Sequence, residues 1–342
     1  MTKRRSGFIL VAVLWLIVAL GAVGLDASLR SRTRRLAAAN VLDQTRARAA
    51  AMAGTEYARS RLTAAMLDRA FELRNERLNN ARTARAQRSA TRASVNSLFR
   101  SSDPFDDPWR EPQELVAPDM AFADARYALR VRDTGASLNL NEADEGMLRQ
   151  FFAQGMRVDY AFADQLTQAI LDWRDEDDIP RINGGERDEY LAARMPVLPP
   201  NRDFAELDEL RHVIGMTPEL YDEARMYLTL VGSGDVNVNA APEPVLLALP
   251  GMTPPAVTTL LRARSAGQTP RSAGELRALM PAGTRAALED ERSRFNRVTT
   301  YRTNEVEISA DGSVDGSPIR VRARVVVARS NTGAVVVWKK IE

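Results

Sequence analysis

Residues 8–25 form an uninterrupted apolar run preceded by Lys3, Arg4 and Arg5. About 18 apolar residues at ~1.5 Å each just cross a hydrocarbon core of ~30 Å, and the basic cluster predicts a cytoplasmic N-terminus. Beyond the run, residues 26–100 are rich in Ala, Arg, Leu and Met and contain no proline, so the helix is predicted to continue. That pattern stops at Ser101-Ser102-Asp103-Pro104, and with Pro108 and Pro112 it gives way to a linker and first strands over 101–135. Residues 127–132 alternate apolar and polar positions, as a half-buried strand does. Alternation returns in the last segment, 296–342, over 304–308, 319–328 and 334–341. Asp311-Gly312, Asp315-Gly316 and Asn331-Thr332-Gly333 separate these pieces as hairpin turns. The fold class expected is α+β: a long N-terminal transmembrane helix on an antiparallel sheet, split by an inserted α-helical domain over 136–295.

The insertion carries an internal repeat. Ser137-Leu138-Asn139-Leu140-Asn141 and Asp235-Val236-Asn237-Val238-Asn239 each feed a helix that an Asn is expected to cap. Leu249-Pro250-Gly251-Met252-Thr253-Pro254 and Ile214-Gly215-Met216-Thr217-Pro218 are tight glycine turns between helices, a helix-hairpin-helix (SAM-like) pattern. Such hairpins can hold DNA phosphates on helix N-terminal amides. Here one glycine of the usual Gly-x-Gly turn is replaced by Thr253, and carboxylates outnumber arginines roughly two to one over 141–235. Phosphate neutralisation drives nucleic-acid affinity, so this balance predicts no nucleic-acid partner. Over 28–102 the ratio reverses, about three arginines to each carboxylate, which reads as a solvated helical face. Arg30, Arg32, Arg34 and Arg35 could instead meet lipid headgroups beyond the membrane.

Composition adds exclusions. The 342 residues are 45% hydrophobic and 27% charged with a formal net charge of +2, ordinary for a globular chain. There is no cysteine, which removes disulfides and thiolate sites, and the one histidine, His212, leaves no imidazole pair for a metal. No nucleophile constellation is visible, so the chain is expected not to be an enzyme. The densest acidic stretch holds Asp172, Asp175, Asp177, Asp178, Glu186 and Asp188 around Pro180 and Gly184-Gly185. Carboxylates converging around such a turn suit a hard cation with six to eight oxygen ligands, although the spacing is not an EF-hand loop. A solvated acidic helix end is the other reading.

The apolar run admits two readings as well. Ala22-Val23-Gly24 could end a secretory signal peptide, but the run is long and continues into a helix. Arg4-Arg5-Ser6-Gly7-Phe8 followed by apolar residues resembles the leader of type IV prepilins and type II secretion pseudopilins. The resemblance implies a leader of 1–7, cleavage between Gly7 and Phe8 by a prepilin peptidase, and methylation of Phe8. Those families carry glutamate at the fifth mature residue, where this chain has Ala12. Its absence marks the general secretion pathway protein K family, which the leader, split sheet, acidic loop and repeat also resemble. That resemblance implies a minor pseudopilin at the tip of the type II secretion pseudopilus, assembling with other minor pseudopilins for protein export. It implies an inner-membrane, single-pass protein with its C-terminal bulk in the periplasm. It also implies calcium at the acidic loop, where Arg187 stands in place of the family's usual acidic residue. A membrane-anchored helix-hairpin-helix DNA-binding protein of a competence system is the alternative.

Overall fold

The protein is described by a computed structural model covering residues 5–87, 109, 117–331 and 333–342. Its first element, α1 (Arg5–Gln87), is a continuous helix of 83 residues. Side chains from Val13 to Leu20 are exposed on it, and so are Leu25 and Leu29. Among the described residues no helix is long and apolar enough to cross a membrane. The side chains of Gly7, Phe8 and Ala12 lie outside the described residues, so the cleavage and missing-glutamate expectations do too.

The strand β1 (Ala117–Phe122) leads into β2 (Ala125–Asp133), after which the chain leaves the sheet. The departing segment contains β3 (Leu138–Asn139), α2 (Glu145–Gln150), α3 (Tyr160–Arg174), α4 (Arg187–Ala192), α5 (Pro218–Ala224) and β4 (Leu228–Thr229). It continues through β5 (Val236–Asn237), α6 (Glu243–Leu247), α7 (Pro254–Ser265), α8 (Ala273–Leu279), α9 (Ala282–Asp290), α10 (Arg292–Arg297) and β6 (Thr299–Thr300). The sheet resumes with β7 (Glu305–Val314), β8 (Arg320–Ser330) and β9 (Gly333–Ile341). Its five strands run β1-β2-β7-β8-β9, antiparallel throughout.

Small residues let α1 press onto this sheet. Ala47, Ala50, Ala51, Ala58 and Leu62 are buried at helical spacing against Leu129, Val131, Val306, Ile308, Ala310, Val325 and Val327. The closest approach is at Gly312, where a Cβ would sit 1.9 Å from the Ala47 carbonyl oxygen. This corrects one expectation: Asp311-Gly312 is not a turn but lies inside β7, opposite Ala128 and Tyr127. Glycine is there because helix backbone occupies the space a side chain needs. The turn falls at Asp315-Gly316, with Gly316 at φ +76°. On the opposite face of the sheet, Arg130 and Arg322 bracket Asp311, while Arg132 and Arg324 bracket Glu307.

The two segments read as a repeat each take part in a short parallel pair. β3 pairs in parallel with β4, and β5 pairs in parallel with β6. Within each copy an Asn amide braces a loop: Asn141 holds Phe204 through both its oxygen and its nitrogen, and Asn239 donates to the carbonyls of Pro270 and Tyr301. An arginine donates to a carbonyl just before or at the first helix, Arg174 to Leu140 and Ala143 and Arg264 to Ala241. The expected Asn caps are therefore corrected. Asp144 caps α2 by accepting from Met147 N, while Pro242 precedes α6 without a side-chain cap. A wide π turn at 151–155 lies between α2 and α3, and Gly251 at φ +74° lies between α6 and α7.

The insertion's necks are joined by the buried Asp133. Its carboxylate accepts from Gly135 N (2.9 Å), Asn237 Nδ2 (2.8 Å) and Thr303 Oγ1 (2.7 Å). Burial nevertheless pushes its pKa up, against these hydrogen bonds.

Candidate metal centre

The acidic loop hangs from the end of α3. Leu166, Ile170 and Trp173 of that helix are buried in the core of the insertion, and Trp173 stacks on Phe204 at 5.9 Å and tilts against Tyr190 at 5.8 Å. Burial raises the Tyr190 phenol to about 12, and its hydroxyl accepts from Ile214 N at 3.1 Å. This aromatic block fixes both ends of the loop, because Trp173 precedes it and Tyr190 lies in α4 after it.

Asp172 is fully buried at the root of the loop. Its Oδ2 accepts from the amides of Arg181 (3.1 Å) and Gly185 (2.8 Å), and its Oδ1 from Arg181 Nη1 (2.6 Å). A Cβ at Gly184 would fall 2.1 Å from Asp172 Oδ2, so glycine is what lets the chain close over the carboxylate. Arg181 Nη1 also donates to Asp175. Asp172 is thus an anchor of the loop, its oxygens engaged from three directions.

A converging carboxylate group lies beside it. Carboxylate oxygens of Asp175, Asp177 and Glu186 lie within 4.8 Å of one another. Glu186 is only 3% exposed; it faces the Glu189 amide in a capping box before α4, yet neither of its oxygens reaches a hydrogen bond of normal geometry, and Asp175 Oδ1 is likewise buried and unpartnered. Burial is the first cause that raises the Glu186 carboxyl to about 7, followed by repulsion from Asp172, Asp175, Asp178 and Asp177. Buried oxygens without donors, facing further carboxylates, have the chemistry that suits a hard cation. Of the remaining expected ligands, Asp178 accepts from Asn201 Nδ2 at 2.9 Å and Asp188 is exposed on α4 outside the converging group.

Sequence reasoning missed Arg181 and Asn201. Arg181 follows Pro180, and a cation set between Asp178 and Glu186 is the signal that could have found it. Asn201, held at φ +50°, donates to the Asp177 carbonyl at 2.6 Å and pins the loop from a distant segment.

Comparison with known proteins places this loop inside a recognised domain. Residues 130–233 match the family described as "Type II secretion system (T2SS), protein K". The type II secretion system protein K of Pectobacterium carotovorum subsp. carotovorum is 35% identical over 83 residues, covering 24% of this chain and 25% of that protein. The protein of the same name from Klebsiella pneumoniae is 35% identical over 112 residues, 32% of this chain and 34% of the relative. The matched stretches therefore span about a quarter to a third of the length of these relatives. A chain of the GspK–GspI–GspJ complex from enterotoxigenic Escherichia coli has the same fold, with a TM-score of 0.52 at 19% identity over 80% of this chain and 99% of that one. Over residues 130–233, under a third of its length, the chain is similar to the type II secretion system protein K family.

Proposed function

We propose that the chain is a minor pseudopilin that initiates or caps the tip of a type II secretion pseudopilus, joining other minor pseudopilins for protein export. The observation that carries this reading is the architecture: an 83-residue helix laid on an antiparallel sheet, with a protein K domain inserted between β2 and β7. The solved neighbour of the same fold is a chain of a three-protein complex, GspK–GspI–GspJ, which supports other minor pseudopilins as partners here. Residues 8–25 would anchor the chain in the inner membrane, with the bulk in the periplasm and a prepilin peptidase cutting between Gly7 and Phe8. Ala12 fits a terminal position, because a subunit without the membrane carboxylate offers no partner to a neighbour's amine.

Calcium belongs to the same proposal. Asp175, Asp177 and Glu186 would hold the ion, Asp178 would complete the outer shell, and Asp172 with Arg181 would hold the loop in shape. The helix-hairpin-helix repeats then serve as scaffold for that loop and for subunit contacts. Purified full chain mixed with the other minor pseudopilins of its system should give a stoichiometric complex by multi-angle light scattering. Absence of any complex would refute the assembly reading.

A further inference from the structure

The two edges of the sheet differ. β1 carries Pro118, which has no N–H to offer, and its register breaks between Ala117 and Met120. Proline and register breaks are common ways to blunt an edge. β9 at the other edge is longer, and Val335, Val336 and Val337 are 46%, 42% and 55% exposed in succession. Three consecutive exposed valines on an edge strand form a template for another strand.

Hydrogen bonds at both ends of β9 establish which of its amides face outward. Ala334 N donates to Thr63 Oγ1 on α1, and its ladder partner Arg329 donates to Asn304 O on the side away from β9. Ala334 therefore points out of the β8–β9 ladder. At the other end, Arg322 and Glu342 exchange both backbone bonds, 2.9 and 2.8 Å. Alternation along an antiparallel pair then turns Ile341 and Lys339 outward from that end, and Val336 outward from the other. Val337, at the register break between Val326 and Val327, absorbs the mismatch. Helix α1 satisfies Ala334; no described residue bonds Val336, Lys339 or Ile341 on the outer side.

We propose that the outer edge of β9, from Val336 to Ile341, is a docking site for an extended strand of a partner protein. Exposed valines at 335–337 select apolar residues in that strand, and exposed Lys339 selects a carboxylate opposite it. Main-chain bonds to Val336, Lys339 and Ile341 supply the affinity, as in other strand-addition complexes. The proposal rests on the assembly reading and names the surface that assembly uses.

The test uses the full chain in detergent with the other minor pseudopilins of its system. Val336→Pro removes one outward N–H and leaves the β8–β9 ladder intact, so its melting temperature should stay unchanged. Its complex should weaken at least tenfold, and Lys339→Glu, which leaves every backbone bond in place, should weaken it severalfold. Amide exchange over 333–342 should slow at least tenfold on complex formation. Unaltered affinity in both variants, or exchange unchanged by the partners, overturns the proposal and leaves the assembly reading standing. So does protection of these amides in the isolated chain, or a homodimer that Val336→Pro dissolves. If the unaltered chain forms no complex, the assembly reading itself falls and takes the edge proposal with it.

Discussion

Replacing Glu186 by Gln should reverse the order of stability with and without calcium. In metal-free protein this carboxylate is 3% exposed, accepts no hydrogen bond, and is raised from 4.5 to about 7. At ~1.4 kcal/mol per tenfold change in equilibrium, that rise corresponds to about 3 kcal/mol of strain on the ionised folded state. The sign follows from linkage. The unfolded carboxyl ionises near 4.5 and the folded one near 7, so between them the native state holds the extra proton. Stability of the metal-free protein therefore falls as pH rises through that window and levels off above it. At pH 8 in chelator, Glu186→Gln should be the more stable form by up to about 3 kcal/mol, several degrees for a chain of this size. At pH 4.5 the two should nearly coincide. In millimolar Ca²⁺ the wild type should gain about 2.7 kcal/mol at a hundredfold excess over Kd. The variant, missing one of three converging carboxylates, should gain far less. Calorimetry of the full chain at pH 8, with chelator and then with calcium, reads both orders. A variant less stable than wild type in chelator would show that the ionised carboxylate is not strained, and an unchanged melting temperature on adding calcium would return the loop to a solvated acidic turn.

Further outcomes test the rest of the molecule. Intact mass or N-terminal sequencing of the membrane form should place the mature N-terminus at Phe8; a start at or beyond Leu25 would mean an ordinary signal peptide. Cross-linking should find the chain once per filament at its end, and Ala12→Glu should add little to assembly; repeated cross-links along the shaft would refute the tip position. Gly312→Val should cost roughly 3 kcal/mol or more, since overpacking here meets helix backbone at 1.9 Å and not a yielding side chain. Because α1 and the acidic loop share no residue, that loss should be the same with and without calcium.

The strands β2, β7, β8 and β9 were legible because half-buried antiparallel strands alternate by necessity, and a helix covers one face of each. α1 was legible from composition alone. What misled was the dipeptide Asp311-Gly312, whose local chemistry says turn while its tertiary context demands a residue without a side chain beneath α1. The Asn residues of the repeat misled in the same way: their spacing suits caps, but the amides reach segments that lie 31 to 63 residues away. In the acidic loop, Asp175, Asp177 and Glu186 were visible as density of charge. Charge density does not say which oxygens a fold has already used. Asp172 reads as a ligand until Gly184 and Gly185 close over it, and Asp188 reads as one until α4 carries it outward.

Arg181 decides how far the loop depends on a metal. Its guanidinium bridges Asp172 and Asp175 and so neutralises the inner part of the cluster permanently. Around it the root of the loop is held by protein groups alone: Asp172 has its amides, and Trp173 stacks on Phe204 and tilts against Tyr190. The outer part is less complete: Glu186 and one oxygen of Asp175 have no donor, and they converge with exposed Asp177, whose Oδ1 accepts from Ile179 N at 2.8 Å. A cation supplied there removes repulsion without creating the fold. Removing it should therefore loosen residues 175–186 while the helical core beneath keeps its packing, since repulsion among a few carboxylates costs far less than the burial of Leu166, Ile170 and Trp173 gains. On the proposed reading, a metal would order the loop on a scaffold whose packing does not depend on it.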